Sequence, residues 1–143
     1  METLALRLVP GDDLRGAIEA ALRGHGAAFV LQGIGSLSVA RLRYAGLADA
    51  TELRGDLEIL TLAGAVAPDG AHLHMSVADS TGAVRGGHVA PGCIVCTTVE
   101  LLVALLPAQA FSREHDPRTG YPELVIRTTK VPTTSGVGPA LPG

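Results

Sequence analysis

Hydrophobic and polar residues alternate over residues 3–9, where leucines occupy every second position. A period of two over this length predicts a half-buried β-strand. Asp12 or Asp13 follows and can cap a helix, because a carboxylate accepts hydrogen bonds from the free amides of the first turn. Apolar residues recur at helical spacing through residues 14–22, so the sequence predicts one amphipathic helix there.

Beyond this helix, short apolar segments alternate with turn residues, a pattern typical of β-strands. The segment Gly33-Ile34-Gly35-Ser36 indicates a tight turn or a bulge between two of these strands. An anion-binding loop is the weaker interpretation, because the third glycine and the helix of a dinucleotide fingerprint do not follow. We predict strands at residues 27–32, 37–44, 56–66, 71–78, 83–90 and 123–128.

Residues 93–106 fit two kinds of secondary structure. Thr97 and Glu100 match a helix capping box. Against this, apolar residues alternate from position 99 to position 105 among side chains that favour β-structure. We therefore interpret this segment as a strand.

The end of the chain carries weaker patterns. Residues 112–122 are polar and contain proline and glycine, so we predict a loop. Within it, we expect Arg113 and Asp116 to pair with each other, and capture of an anion is the weaker alternative. Residues 132–143 show no periodicity. We assign residues 1–131 to one domain and residues 132–143 to a flexible C-terminal tail.

Composition limits the class of protein. The 143 residues suit one domain, and 47% hydrophobic content is enough for a core without disulfides. No segment reaches the roughly 20 apolar residues of a membrane-spanning helix, and the start of the chain lacks the features of a secretory signal. We therefore expect a cytoplasmic protein without a membrane partner. A net charge of −3, with no basic patch and no Arg-Gly-Arg-Pro hook, argues against direct binding to nucleic acid.

Three of the five histidines fall on the two arms of one predicted hairpin. His72 and His74 are two positions apart and so share one face of their strand. A loop of three residues after Asp79 would place His74 opposite His88, with Cβ atoms about 5 Å apart. Gly86-Gly87 would allow a bulge that re-aims His88.

Three imidazoles on one patch are typical ligands of a zinc-like ion. They can supply three nitrogens at about 2.0–2.1 Å and leave a fourth position open. Imidazole also suits nickel, copper and iron, so the pattern does not fix the metal. The alternative is a set of surface histidines that only form hydrogen bonds.

Cys93 and Cys96 have the spacing of a redox-active pair. In a strand, however, positions three apart face opposite sides of the sheet, so the two thiols cannot meet. We interpret both cysteines as small core residues.

A series of short motifs covers most of the chain. These motifs are Gly33-Ile34-Gly35-Ser36-Leu37, the segments 57–64 and 69–74, Asp79, Gly86-Gly87-His88, and Arg113, Asp116, Gly120 and Leu124. Their order and spacing resemble the plant and prokaryote conserved (PPC) domain, also called domain of unknown function 296, over roughly residues 3–130.

The resemblance implies a single α+β domain: a mostly antiparallel sheet of about seven strands with one main flanking helix, assembled as a homotrimer. Plant members join this domain to an AT-hook that grips DNA, and the domain itself mediates trimerisation and contacts with transcription factors. Prokaryotic members usually stand alone. In the prokaryotic type, the His-x-His and Gly-Gly-His motifs resemble a metal site, which again indicates His72, His74 and His88.

Three functions are compatible with this pattern. We favour a homotrimeric binding or regulatory module that holds a divalent metal such as zinc at the histidines, with itself and a regulatory protein as partners. The second is a metal-dependent enzyme in which a metal-bound water is the nucleophile and Glu58 or Asp79 is the base. The third, a DNA-associated regulatory protein, depends on the plant relatives alone.

Overall fold

A computed structural model describes residues 2–129 and 138 of the chain. It confirms the α+β class, with a mostly antiparallel sheet and one helix, and the described residues form eight strands where about seven were expected. The predicted tail, residues 132–143, lies outside the described residues except for position 138. The elements are β1 (Glu2–Leu8), α1 (Leu14–Ala21), β2 (Ala28–Arg43), β3 (Thr51–Ala67), β4 (Gly70–Ala78), β5 (Val84–Val89), β6 (Ile94–Leu105), β7 (Gln109–Asp116) and β8 (Tyr121–Thr128).

Six strands form one antiparallel sheet in the order β1-β6-β2-β3-β4-β5. The far end of β2 also pairs with β5, through Leu42 opposite Val89 and Arg43 opposite His88. Strands β2, β3, β4 and β5 therefore close on one another, and we call this arrangement the strand ring. Its closure depends on the 16-residue length of β2, which pairs with β6 along most of its length and reaches β5 at its end.

The two strands predicted at 27–32 and 37–44 are one continuous strand, β2, so the prediction of separate strands was wrong. The segment between them is not a turn: the β2–β6 register shifts between Gly35 and Leu37, as at a bulge. Gly35 has φ +155°, and a Cβ at this position would overlap the carbonyl oxygen of Thr98. Glycine is required here because β6 approaches β2 too closely for a side chain.

Helix α1 begins where the sequence predicts it. Asp13 is the N-cap and accepts a hydrogen bond of 2.9 Å from the backbone N–H of Gly16. Its other carboxylate oxygen accepts one of 2.7 Å from Gly92, which fixes the helix to the β5–β6 connection. Leu14 and Ile18 are fully buried against the sheet. In the described part of the chain, no helix is long and apolar enough to cross a membrane.

Strands β7 and β8 form a separate antiparallel hairpin, so the loop predicted at 112–122 was wrong. Strand β7 carries mostly polar side chains with no clear alternation, which hid it in the sequence, whereas the strand predicted at 123–128 is the larger part of β8. Glu114 and Arg127 form an ion pair between the two strands, with Oε2 and Nη1 2.7 Å apart. The predicted pairing of Arg113 with Asp116 was also wrong: Asp116 binds Arg118, at 2.9 Å between Oδ2 and Nη2.

The apolar core lies between α1 and the inner face of the six-stranded sheet. Cys93 is buried in this core, as predicted, whereas Cys96 is exposed, so its assignment to the core was wrong. A second, smaller cluster fixes the β7–β8 hairpin to the rest of the fold. There Phe111 packs against Ala27, Ala65 and Ala67.

Candidate metal centre

The register of the β4–β5 hairpin brings the three predicted histidines together. His74 lies directly opposite His88, and His72 lies two residues earlier on β4, on the same face. The turn forms as predicted, because the Asp79 carboxylate accepts hydrogen bonds from the backbone N–H groups of Thr81 and Ala83.

The three imidazoles converge on one point. Their ring centroids are 4.9 Å apart for His72 and His74, 5.0 Å for His72 and His88, and 5.7 Å for His74 and His88. One nitrogen from each ring lies within 4.8 Å of the others. Two atoms, the Nε2 of His72 and the Nε2 of His74, are only 3.1 Å apart.

The two glycines before His88 have a different role from the predicted one. The β4–β5 register runs without a shift from Ala78 to His74, so Gly86-Gly87 forms no bulge. A Cβ on Gly87 would instead lie 2.6 Å from the carbonyl oxygen of Arg43. Glycine at this position lets β2 approach β5, and the strand ring closes beside His88.

The environment favours the neutral, ligating form of two of these histidines. Burial lowers the pKa of His88 to about 4, and electrostatic repulsion from Arg43, and from His72 when it is protonated, also lowers it. Burial also lowers the pKa of His72, and the Arg113 guanidinium lowers it further. Both imidazoles are therefore uncharged at neutral pH, the form that a metal requires.

The nitrogens in this cluster fit a divalent ion. Nδ1 of His88 is buried and has no hydrogen-bond partner in the described part of the chain. A buried nitrogen without a partner is costly unless another group, such as a cation, accepts its lone pair. In a tetrahedral zinc site, two nitrogens at 2.0–2.1 Å from the ion lie about 3.3 Å apart, close to the 3.1 Å between His72 and His74.

The histidines lie in a cleft of about 840 Å³, which we call the histidine cleft. Arg113 reaches it because its backbone N–H donates a hydrogen bond of 3.0 Å to Asp69 in the β3–β4 turn. Most of the other residues that line the cleft were not predicted from the sequence, because they are distant along the chain and residues 112–122 were interpreted as a loop. Besides the histidines, the lining includes Arg15, Arg43, Asp69, Arg113, Tyr121 and Glu123.

The two carboxylates predicted as a catalytic base lie elsewhere. Asp79 is in the hairpin turn, where hydrogen bonds from Thr81 hold its pKa below the ordinary value. Glu58 is exposed on β3, opposite Ala78 near the same turn. Neither lines the histidine cleft, so the structure does not place them as a base beside the histidines.

A comparison with known families decides the classification. The model of the Plants and Prokaryotes Conserved (PCC) domain matches residues 1–107. The chain belongs to this family. The match includes β1 to β6 and all three histidines of the PCC domain's candidate centre.

Relatives of this PCC domain include two much longer proteins and several solved structures. Two Synechococcus proteins named Bifunctional protein GlmU are 48% and 50% identical over 85% of the chain, which spans only 20% of their length. A hypothetical protein from Salmonella enterica is 40% identical, with a TM-score of 0.86 over 89% of this chain and 94% of its own.

A further neighbour is the metal-containing protein AF0104 from Archaeoglobus fulgidus. It is 30% identical, with a TM-score of 0.77 over 87% of this chain and 94% of its own. Solved structures similar to this chain also include proteins whose names suggest DNA binding, among them one from Ralstonia eutropha at 25% identity, with a TM-score of 0.76 over 85% of this chain and 89% of its own.

Proposed function

We propose that this PCC-domain protein is a homotrimeric binding module that holds a divalent metal ion, zinc in the first instance, on His72, His74 and His88. The observation that carries the proposal is the convergence of three ligand nitrogens within 4.8 Å, one of them in a ring whose buried Nδ1 has no partner among the described residues. The metal content of the Archaeoglobus protein, which shares the fold, supports it.

A binding role fits the surroundings of the histidines better than catalysis by a metal-bound water. The enzyme considered above uses a carboxylate as its base, and the two carboxylates predicted for this role, Glu58 and Asp79, lie outside the cleft. The two carboxylates that line the cleft each accept a hydrogen bond from a neighbouring residue: Asp69 accepts one from the Arg113 N–H, and Glu123 accepts one from the Thr119 hydroxyl. The presence of a similar segment in two much longer proteins supports a module that works beside other domains.

An apolar surface supports the trimer. Phe29, Leu31 and Ile34 on β2 are between 36% and 50% exposed, and Leu102 on β6 is 45% exposed. Ile34 and Leu102 line one shallow groove on the outside of the sheet. Apolar side chains grouped in this way are typical of a surface that is covered in the assembled protein, and a closed cyclic assembly covers them without open ends.

DNA binding is the second candidate, and the names of some structural neighbours favour it. The charge of the chain argues against DNA binding, because a net charge of −3 repels the phosphate backbone. Absence of a gel shift at low salt would exclude direct binding.

Zinc titration of the metal-free protein tests the proposal. We expect one ion per chain, and we expect each of His72→Gln, His74→Gln and His88→Gln to weaken binding by about 100-fold or more, since each removes one of three protein ligands. His25→Gln and His115→Gln are the matched controls, because neither residue belongs to the cluster. Equal zinc affinity in all five variants would overturn the metal site.

A further inference from the structure

The arginines of this chain divide into two groups by their exposure. Seven of the ten are exposed to solvent. The remaining three are half-buried, and all three line the histidine cleft: Arg15, Arg43 and Arg113. A half-buried guanidinium has lost part of its hydration and needs a partner of opposite charge.

The three side chains reach the cleft from different elements, and they are unequally paired. Arg15 on α1 forms an ion pair with Glu19, at 2.9 Å between Nε and Oε1. Among the described residues, no carboxylate lies within 4.0 Å of the guanidinium of Arg43 on β2 or of Arg113 on β7. Within residues 2–129, the only hydrogen bond from the Arg43 guanidinium is a long one of 3.5 Å to the carbonyl oxygen of Leu47.

These positive charges act on the histidines themselves. Arg113 contributes to the lowered pKa of His72, and Arg43 to that of His88. Asp69 and Glu123 supply negative charge to the same cleft. The ion of the proposed function would add two positive charges to this partly enclosed space, and the cleft would then carry a net positive charge.

We propose that the histidine cleft binds a small organic oxyanion, held by the guanidinium groups of Arg43 and Arg113, with one oxygen on the open position of the ion. This inference rests on the proposed function, since the ion is one of the three anchors. Guanidinium groups bind carboxylate and phosphate oxygens with paired hydrogen bonds, and both kinds of oxyanion share this chemistry. The volume of about 840 Å³ lies within the range of small-molecule sites, and Tyr121 offers an apolar surface to the body of such a ligand.

Anion titration of the metal-loaded protein tests this inference. Metal content is measured first, on protein loaded with Co²⁺. Acetate and methyl phosphate are then added separately at constant ionic strength, with calorimetry for affinity and the visible cobalt spectrum for coordination. We expect one of the two probes to bind saturably and to change the spectrum, and this probe identifies the oxyanion as a carboxylate or a phosphoryl group.

Arginine variants distinguish specific binding of the anion by Arg43 and Arg113 from nonspecific attraction to the positive charge of the protein. We expect Arg43→Gln and Arg113→Gln to weaken binding of that probe by about tenfold or more while the cobalt content stays at the wild-type level. Arg85→Gln is the matched control, because Arg85 is an exposed arginine on β5 outside the cleft. We expect this control to bind like the wild type.

The outcomes distinguish the two proposals. Cobalt bound at one ion per chain, with neither probe binding, would overturn the oxyanion site and leave the metal site intact. Equal weakening in Arg85→Gln and Arg113→Gln would also overturn it, because the attraction would then come from overall charge. Failure to take up cobalt or zinc would overturn both proposals, and it would be seen before any anion is added.

Discussion

The Cα atom of Gly64 lies against the carbonyl group of His72 across the β3–β4 pair, so that a Cβ at Gly64 would overlap the carbonyl oxygen. Gly64 also has φ +153°, a conformation that residues with a side chain rarely adopt. We expect Gly64→Ala to lower the free energy of unfolding by about 2–5 kcal/mol, from backbone strain and forced separation of the strands. We also expect it to weaken zinc binding, because His72 must move.

Gly55→Ala distinguishes the cost of backbone strain from the cost of the overlap with the His72 carbonyl group. Gly55 is on the same strand with φ +127°, but a Cβ there meets no atom within 4 Å. Alanine at this position should cost only the strain, about 1–2 kcal/mol, and leave zinc affinity unchanged. Urea unfolding and zinc titration of both variants measure the difference, and equal effects would show that the close approach to His72 is unimportant.

His88 makes the stability of the metal-free protein depend on pH. Its pKa is about 4 in the fold, below the ordinary 6.5, so the unfolded chain takes up a proton first as the pH falls. The contribution of this group to stability therefore decreases from pH 6.5 downward and becomes constant below about pH 4. We expect the wild type to lose more stability over this window than His88→Gln, by urea unfolding with a chelator present. Parallel curves for the two proteins would contradict this.

The apolar groove on the outside of the sheet should decide the oligomeric state. Ile34→Asp places a carboxylate on the surface that we propose the other subunits cover, where an unpaired charge is costly. Light scattering should give three times the 14.6 kDa chain mass for the wild type and a lower mass for the variant. Val84→Asp, at an exposed apolar residue on β5 outside the groove, should keep the wild-type mass.

Phe111 anchors the β7–β8 hairpin through its contacts with three alanines. Truncation of a buried phenylalanine to alanine lowers the free energy of unfolding by about 3–5 kcal/mol in a core. In this protein we expect the change mainly to destabilise the packing of the β7–β8 hairpin against the rest of the fold. We expect Phe111→Ala to accelerate amide hydrogen exchange in β7 and β8 but not in β4 and β5. Ile126→Ala, at the exposed cross-strand partner of Phe111, should leave exchange close to that of the wild type.

The two cysteines should differ in reactivity. Cys93 is buried, and burial raises the pKa of its thiol, whereas Cys96 is exposed. A thiol reagent should therefore modify one group in the folded protein and two after unfolding. Cys96→Ser should abolish the reaction of the folded protein, and a remaining fast reaction would show that Cys93 is accessible.

The sequence predicted the histidine cluster because the information is local. The turn at Asp79 sets the register of one hairpin, and this register alone places His74 opposite His88. Asp13 was likewise predictable as the helix cap, since its signal lies in the next few residues. Strand β6 was predictable from alternation, although its capping-box residues favoured a helix.

The remaining features depend on contacts between distant segments. The role of Gly87 appears only when Arg43 of β2 lies against it, 2.6 Å from the position of a Cβ. Strand β7 is rich in polar side chains that form pairs such as Glu114 with Arg127, so its sequence resembles a polar loop. Arg113 lies in the cleft because that hairpin is held by the packing of Phe111 and by the hydrogen bond from Arg113 to Asp69. None of these contacts leaves a periodic signal in the sequence.

The candidate metal ligands all lie within residues 72–88, whereas the half-buried arginines around them come from α1, β2 and β7. One short hairpin therefore carries the full set of imidazoles, and its neighbours determine what else the cleft can accept. Substitutions in those neighbours would change which molecules the cleft accepts and leave the three imidazoles in place. Ligand preference and metal binding would therefore be able to change independently, because different elements of the fold carry them.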